Sequence, residues 1–314
     1  MIAVAGAGAF GTALAVALSR EGRPVTLWAR DGAQVADMAA TRQNTARLPG
    51  VILPNGITVT ADLADLAGAQ ALLLALPMQA LAGFLNRHTL TAPSIVACCK
   101  GVDLAALSGP ASVIQKARPL ARAAILTGPS FAHDIARGLP TALTLAGGDE
   151  PLQHLLSTAT LRLYRTDDVI GAELGGALKN VVAIAAGVVI GAGLGESARA
   201  ALMTRGYAEM TRLALALGAR AETLAGLSGF GDLVLTCTSA QSRNFRFGHA
   251  LGAGQAFDSA LTVEGIATAQ AVAHLAAQKG IDMPITAMIA ALVAQKITLP
   301  LAIQALMSRP LKQE

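Results

Sequence analysis

The stretch IAVAGAGAFGTALAVAL, residues 2–18, decides how the chain is read. Ile2–Ala5 is an apolar run of strand length. It leads straight into Gly6-Ala7-Gly8-Ala9-Phe10-Gly11, and Thr12–Leu18 continues with helix-forming residues. Glycine-rich turns also form for packing alone, but a G-x-G-x-x-G loop between a buried strand and a helix has a specific use. Gly6 permits the tight turn, Gly8 lets a pyrophosphate approach the backbone, and Gly11 lets helix and strand pack closely. The helix start offers unpaired N–H groups and a positive dipole end to phosphates. The loop predicts dinucleotide binding, with a nicotinamide or flavin cofactor.

Working outward, short apolar runs alternate with helical patterns through the first half of the chain, which predicts a parallel sheet. Expected strands are Pro24–Ala29, Thr58–Thr60, Ala71–Ala75, Ser94–Cys98 and Ala123–Thr127, with Thr141–Ala146 and Leu161–Arg165 finishing the sheet as edge strands. Helices are expected near Asp31–Arg42, Gln79–Asn86 and Ser108–Ala117. From about Asp167 the strand signals fade and Ala/Leu/Met-rich helical spacing takes over, at 168–190, 196–217, 240–252, 262–279, 284–295 and 299–307. The fold class that follows is an α/β N-terminal Rossmann-type doubly wound sheet with an all-α C-terminal domain. The boundary is placed near 166–170, giving 1–168 for the dinucleotide and 169–314 for substrate and catalysis.

Composition narrows the function. At 314 residues, two domains are the better expectation. With 53% hydrophobic and 14% charged residues there is ample core material, and leftover apolar surface suits a homodimer. A net charge of +4 without a basic block argues against nucleic acid and suits an anionic substrate. Cys98, Cys99 and Cys237 have neither zinc nor C-x-x-C spacing, so no metal is expected and a reduced, cytoplasmic setting is. The N-terminal apolar stretch is broken by glycines and lacks a positive lead, unlike a signal peptide. The run Val181–Gly195, about 15 residues, falls short of the ~20 that span a bilayer and reads as buried core.

The residue ending the second strand discriminates nicotinamide cofactors: an acid bonds the ribose 2′-OH of NAD, and Arg accommodates the 2′-phosphate of NADP. Here the strand ends Trp28-Ala29-Arg30-Asp31. Arg30 with Asp31 beside it favours NADP, or tolerance of both cofactors, unless Arg30 is simply a solvated loop charge.

Four polar clusters lie in apolar surroundings. Cys98-Cys99-Lys100-Gly101 follows a buried strand, so Lys100 sits on the ligand-binding face or escapes to water. Thr127-Gly128-Pro129-Ser130-Phe131-Ala132 leaves another strand for a helix; Ser130 caps that helix, or it joins Gly128 and free N–H groups at a ligand. Lys179 and Asn180 open an apolar helical run. Lys179 either snorkels outward or faces a cavity, where desolvation and a second cation such as Lys100 would make neutral amine available as a base. Finally, Gly229-Phe230-Gly231-Asp232 precedes Ser242-Arg243-Asn244. There Arg243 either forks onto a phosphate with the helix N–H groups or marks an ordinary capped helix start.

Taken together, the motifs GAGAFGTALA (6–15), LPGVILP (48–54), CCKGVD (98–103), TGPSFAHDIARGLPTA (127–142), ALKNVVAIAAGVVIGAGLGESARAALMTRGYAEM (177–210), GLSGFGDLVLTCTSAQSRNFRFGHALG (226–252) and VEGIATA (263–269) closely resemble bacterial NAD(P)-dependent glycerol-3-phosphate dehydrogenase. They run in that family's order over most of the chain. The resemblance implies that Lys179 is the catalytic lysine accepting the C2 hydroxyl proton. It implies substrate contacts from Lys100, Gly128, Ser130, Asp232, Ser242, Arg243 and Asn244, the last two on the phosphate. Ala9, Phe10, Arg30, Ala132, Val263 and Glu264 match the cofactor side, and Lys100 and Arg243 touch both ligands. Phe10 stands where Trp is frequent in the family and Phe230 where Leu is common; both stay apolar. The implied reaction interconverts dihydroxyacetone phosphate and sn-glycerol 3-phosphate with NAD(P)H, supplying glycerol 3-phosphate for phospholipid synthesis. A reductase of hydroxyacids or sugar acids with a Lys-Asn pair, and a non-catalytic dinucleotide sensor, are the rival readings.

Overall fold

Four consecutive apolar residues such as Ile2–Ala5 need cover on both faces, and a parallel strand inside a doubly wound sheet has it. A computed structural model describes residues 1–103, 108–258 and 262–307. In chain order its elements begin with β1 (Ile2–Ala5), α1 (Ala9–Ser19), β2 (Val25–Trp28), α2 (Gly32–Thr41), β3 (Gln43–Asn44), β4 (Leu48–Ile52), β5 (Ile57–Thr60) and β6 (Ala71–Leu74). There follow α3 (Met78–Arg87), β7 (Ser94–Ala97), α4 (Pro110–Ala117), β8 (Arg122–Thr127), α5 (Ala132–Arg137), β9 (Thr141–Ala146), α6 (Glu150–Leu156) and β10 (Leu161–Thr166). The rest is helical: α7 (Val169–Gly191), α8 (Glu196–Ala216), α9 (Ala221–Ala225), α10 (Asp232–Thr238), α11 (Arg243–Gly252), α12 (Glu264–Lys279), α13 (Pro284–Val293) and α14 (Leu299–Met307). The end of the expected second domain, 308–314, lies outside the described residues.

One eight-stranded sheet runs in the order β10-β9-β8-β7-β6-β1-β2-β5. Val4 is level with Leu27 on one side and Leu73 on the other. Because side chains alternate across a strand, Ile2 and Val4 pack under α1 with Leu14, Leu18 and Ile135, while Ala3 and Ala5 meet Leu81, Phe84 and Ile114 from α3 and α4. Strand order reverses between β1 and β6, so the glycine loop leaving β1 opens at the switch point, where doubly wound sheets bind ligands.

Two expectations about the sheet need correction. It is not wholly parallel: β9 pairs antiparallel with β8. The connecting helix α5 has only six residues, about 9 Å at 1.5 Å per residue, too short to carry the chain back for another parallel strand. Nor is Thr141–Ala146 an edge, since β10 pairs beside it and takes that position, with β5 at the other end. The small β3–β4 hairpin is an element the sequence reading omits.

The chain leaves the sheet through Asp168, whose carboxylate accepts from Gly171 N at 2.8 Å and caps α7. It also accepts from Arg220 N at 2.8 Å, tying α9 to this junction. Helix α7 is 23 residues, longer than the apolar run seen in sequence. By length and composition it is long and apolar enough to cross a membrane, yet it is buried at the centre of the helical half. Two cores share it: Leu178 and Val182 pack with Met210, Leu213 and Leu233, and Val181 and Ile184 pack with Ala269 and Ile285. A helix apolar all round requires such cover.

Candidate active site

At the glycine loop each glycine has a distinct steric reason. Gly6 has φ +117°, and a Cβ there would lie 2.4 Å from the Ala75 carbonyl oxygen. At Gly11 it would lie 2.0 Å from Gly6 O, so strand and helix meet at backbone distance. At Gly8 a Cβ would meet nothing within 4 Å. Gly8 is the N-terminal cap residue of α1, whose first turn carries no acidic side chain. An open concavity lined by helix-start N–H groups fits a pyrophosphate. Ala9 and Phe10 are half-buried, Phe10 against the core. Beyond β2, Arg30 is exposed, while the Asp31 carboxylate is engaged as the α2 cap, accepting from Ala33 N at 2.9 Å.

Two strands along, Lys100 lies three residues past the end of β7. Its ammonium donates to Gly128 O at 3.2 Å and to Oδ2 of Asp232, which the helical half contributes. Lys179, one turn past the Gly175-Gly176 pair of α7, is 6% exposed and donates to Asp232 Oδ1 at 2.8 Å and to Thr236 Oγ1 at 2.6 Å. Asp232 therefore sits between two ammonium groups contributed by the sheet and by the helical half. A π-helical turn, Leu227–Gly231, delivers it to the start of α10. Thr236 lies one turn further on and donates to the same carboxylate at 3.3 Å.

Electrostatics follow from this burial. Desolvation pushes the Lys179 amine down from 10.5 to about 8, and the Lys100 cation adds to the fall; Asp232 opposes both. Burial works against the Asp232 carboxylate, but the two ammonium groups outweigh it and hold its pKa below the usual range. Glu264, at the first turn of α12, is raised by desolvation against the pull of Arg243, Lys100 and Lys179. Cys237, beside Thr236, is no nucleophile, since burial pushes its thiol up to about 12.

Lys100, Gly128, Ser130, Lys179 and Asp232 are thus brought into one contact network. Ser130 does not cap α5 as one alternative had it; its hydroxyl donates to Gly128 O at 3.1 Å, beside Lys100, and Ala132 begins the helix. Ser242 does cap α11, accepting from Phe245 N at 3.2 Å, and Arg243 is exposed. The side-chain Oδ1 of Asn244 accepts from Gly265 N at 3.0 Å, joining α11 to the Val263-Glu264 turn. The glycine loop and Arg30 stand apart from the lysines, at the ends of β1 and β2.

Sequence reasoning missed Thr236, although once Asp232 is placed on a helix the i, i+4 spacing points to it. Among the described residues, two further polar groups near the site are buried without a hydrogen-bond partner: Asn180 Nδ2, next to Lys179, and Thr127 Oγ1, which lies close to the Gly176 backbone. A separate groove of about 690 Å³, lined by Thr144, Tyr164, Thr166, Arg220 and Thr223, lies away from this chemistry.

Comparison with known proteins gives concordant findings. A family model described as NAD-dependent glycerol-3-phosphate dehydrogenase N-terminus matches residues 1–153, and the C-terminus model of that description matches 168–304. The chain is 67% identical over 320 residues to the glycerol-3-phosphate dehydrogenase (NAD(P)+) of Cereibacter sphaeroides, covering 100% of both chains. It is 59% identical over 319 residues to that of a Ruegeria species, covering 100% of this chain and 99% of the relative. The crystal structure of glycerol-3-phosphate dehydrogenase from Coxiella burnetii superposes with a TM-score of 0.92 at 37% identity, covering 98% of each chain.

Proposed function

Since the chain belongs to the NAD-dependent glycerol-3-phosphate dehydrogenase family, we propose that Lys179 is the group that exchanges a proton with the C2 oxygen of its substrate. The enzyme is an oxidoreductase that interconverts dihydroxyacetone phosphate and glycerol 3-phosphate with NAD(P)H. The observation that carries the role of Lys179 is its burial beside Asp232 and Thr236, with desolvation lowering its pKa to about 8. A group poised there can both give and take a proton.

The nicotinamide, when bound, supplies or accepts the hydride at C2. As the carbonyl is reduced, negative charge grows on its oxygen. The Lys179 ammonium stabilises that charge and transfers its proton; in the reverse direction the neutral amine takes the hydroxyl proton. Asp232 fixes the direction of the Lys179 Nζ and balances the two cations. Lys100 adds positive charge from the sheet side, and the unpartnered Asn180 Nδ2 is a donor for a substrate oxygen. Arg243 and the N–H groups opening α11 hold the phosphate. With the side-chain Oδ1 of Asn244 occupied by Gly265, its amide nitrogen faces elsewhere, as a phosphate donor must.

Residues 1–168 form the dinucleotide part and 169–314 the substrate part, because the described strands end at Thr166 and α7 begins at Val169. Gly6, Gly8, Ala9, Phe10, Gly11, Arg30, Lys100, Ala132, Arg243, Val263 and Glu264 surround the cofactor. NADPH is preferred over NADH, since Arg30 is exposed while Asp31 is spent on its own helix. The enzyme works as a cytoplasmic homodimer on a small phosphorylated substrate, without nucleic acid, and feeds phospholipid synthesis.

The test follows reduced-nicotinamide absorbance with dihydroxyacetone phosphate against dihydroxyacetone, using each cofactor. The reading expects turnover with the phosphorylated ketone and kcat/KM lower by ~100-fold or more without the phosphate, the scale of losing several charged hydrogen bonds. Equal rates on both ketones would remove the phosphate site from the account.

A further inference from the structure

The β3–β4 hairpin contributes nothing to the main sheet, yet it sends one buried polar side chain under the glycine loop. Asn44 is 1% exposed. Its Nδ2 donates to Ala7 O at 3.0 Å and to Thr12 Oγ1 at 2.7 Å. Its Oδ1 accepts from Gln34 Nε2 at 3.2 Å, and that nitrogen also donates to Ala7 O at 2.9 Å. Ala7 lies between the first two glycines, and Thr12 closes the first turn of α1, donating from its N–H to Gly8 O at 3.0 Å. The carbonyl at the centre of the loop is therefore held by two amide groups, one from the hairpin and one from α2.

This grip has a directional consequence. In a trans peptide the C=O and N–H point in opposite directions, and the chain has no cis bond among its described residues. With the Ala7 carbonyl drawn toward Asn44, the Gly8 N–H is aimed the other way, away from the hairpin, and a Cβ on Gly8 itself would meet nothing within 4 Å. The hairpin is itself firmly seated: Leu48, Val51 and Leu53 are buried in the sheet core, and Arg42 donates to Pro54 O at 2.5 Å and Ile57 O at 3.2 Å. Only an amide serves at residue 44, since a carboxylate would set negative oxygen against the Ala7 carbonyl and a hydrocarbon would leave that carbonyl with one donor fewer.

We propose that Asn44, with Gln34, is a positioning residue for the dinucleotide, holding the Ala7–Gly8 peptide so that the loop is ready for a pyrophosphate before one arrives. It touches no ligand and acts by preorganisation. The proposal rests on the assignment of Gly6–Gly11 to the pyrophosphate, and the experiment separates the two.

Calorimetric titration with NADPH and with NADH, without substrate, compares the parent with Gly8→Glu, Asn44→Asp and Gln34→Leu, alongside kcat at saturating cofactor. Gly8→Glu tests the loop assignment, and retained cofactor binding in it overturns both ideas. With binding lost in Gly8→Glu, the proposal expects Asn44→Asp to raise the cofactor Kd by ~10-fold and Gln34→Leu by ~3-fold, as expected for lost buried donors. In both, kcat and the KM for dihydroxyacetone phosphate stay within about twofold of the parent. Gln34 lies on a largely exposed helix, so its variant decides the matter if Asn44→Asp does not fold. Cofactor affinity within twofold of the parent, or a fall in kcat matching the fall in affinity, overturns the proposal.

Discussion

Lys179 and Asp232 meet at 2.8 Å inside the protein, with Lys100 on the other carboxylate oxygen. Lys100 follows a strand of the sheet and Lys179 sits on α7, so one carboxylate neutralises a pair of cations that would otherwise repel. Removing Lys179 from water favours its neutral amine, and Asp232 restrains that effect without cancelling it, leaving the pKa about 8.

The pH dependence carries a definite sign. With Lys179 in its proposed role, reduction of the ketone needs the ammonium, so kcat/KM in that direction is expected to fall as pH rises through about 8. Oxidation needs the free amine and rises over the same interval. In Asp232→Asn the charge that keeps the proton on Lys179 is gone while Lys100 remains, so both limbs move to lower pH. Limbs that stay in place or move upward would show that Lys179 is not the titrating group.

Arg243→Ala tests the phosphate. The KM for dihydroxyacetone phosphate is expected to rise by ~10–100-fold, the worth of one or two charge-assisted hydrogen bonds. An unchanged KM removes Arg243 from phosphate binding. Its exposure means that thermal stability should stay close to the parent's.

Glu209 offers a contrast, a buried carboxylate with a purely architectural part. From α8 it accepts from Ile285 N at 2.7 Å and from Thr286 N at 3.2 Å, capping α13. Glu209→Ala strands those donors and is expected to lower stability by about 1–3 kcal/mol in denaturant titrations. Turnover per folded molecule should be unaltered; a selective loss of kcat would give Glu209 a part in the reaction.

What was legible in the sequence was whatever depends on local pattern. The glycine loop announces itself because three glycines at fixed spacing each answer a steric demand, and Lys179 stands out because a charge inside a run of Val, Ala and Ile needs a reason. The antiparallel turn of β9 was hidden, since an apolar strand looks alike in either direction and only the shortness of α5 reveals it. Asn44 was hidden for another cause: a two-residue strand has no period, and its partners, Ala7 and Thr12, are more than thirty residues away. Thr236 was missed because the apolar residues after Asp232 do not declare a helix until the π-turn before them is known. Ser242 and Asn244 enter as candidate site residues through the family resemblance, but the cap and the contact with Gly265 that orient them belong to the tertiary structure.

The account turns on Lys179 as the proton carrier, and Lys179→Ala measures that directly when turnover and cofactor affinity are followed in the same preparation. The expected result is a kcat lower by ~10²–10⁴-fold, the usual worth of a general acid–base group, with the Kd for NADPH within about twofold of the parent. A variant whose turnover stays within about tenfold of the parent would contradict it.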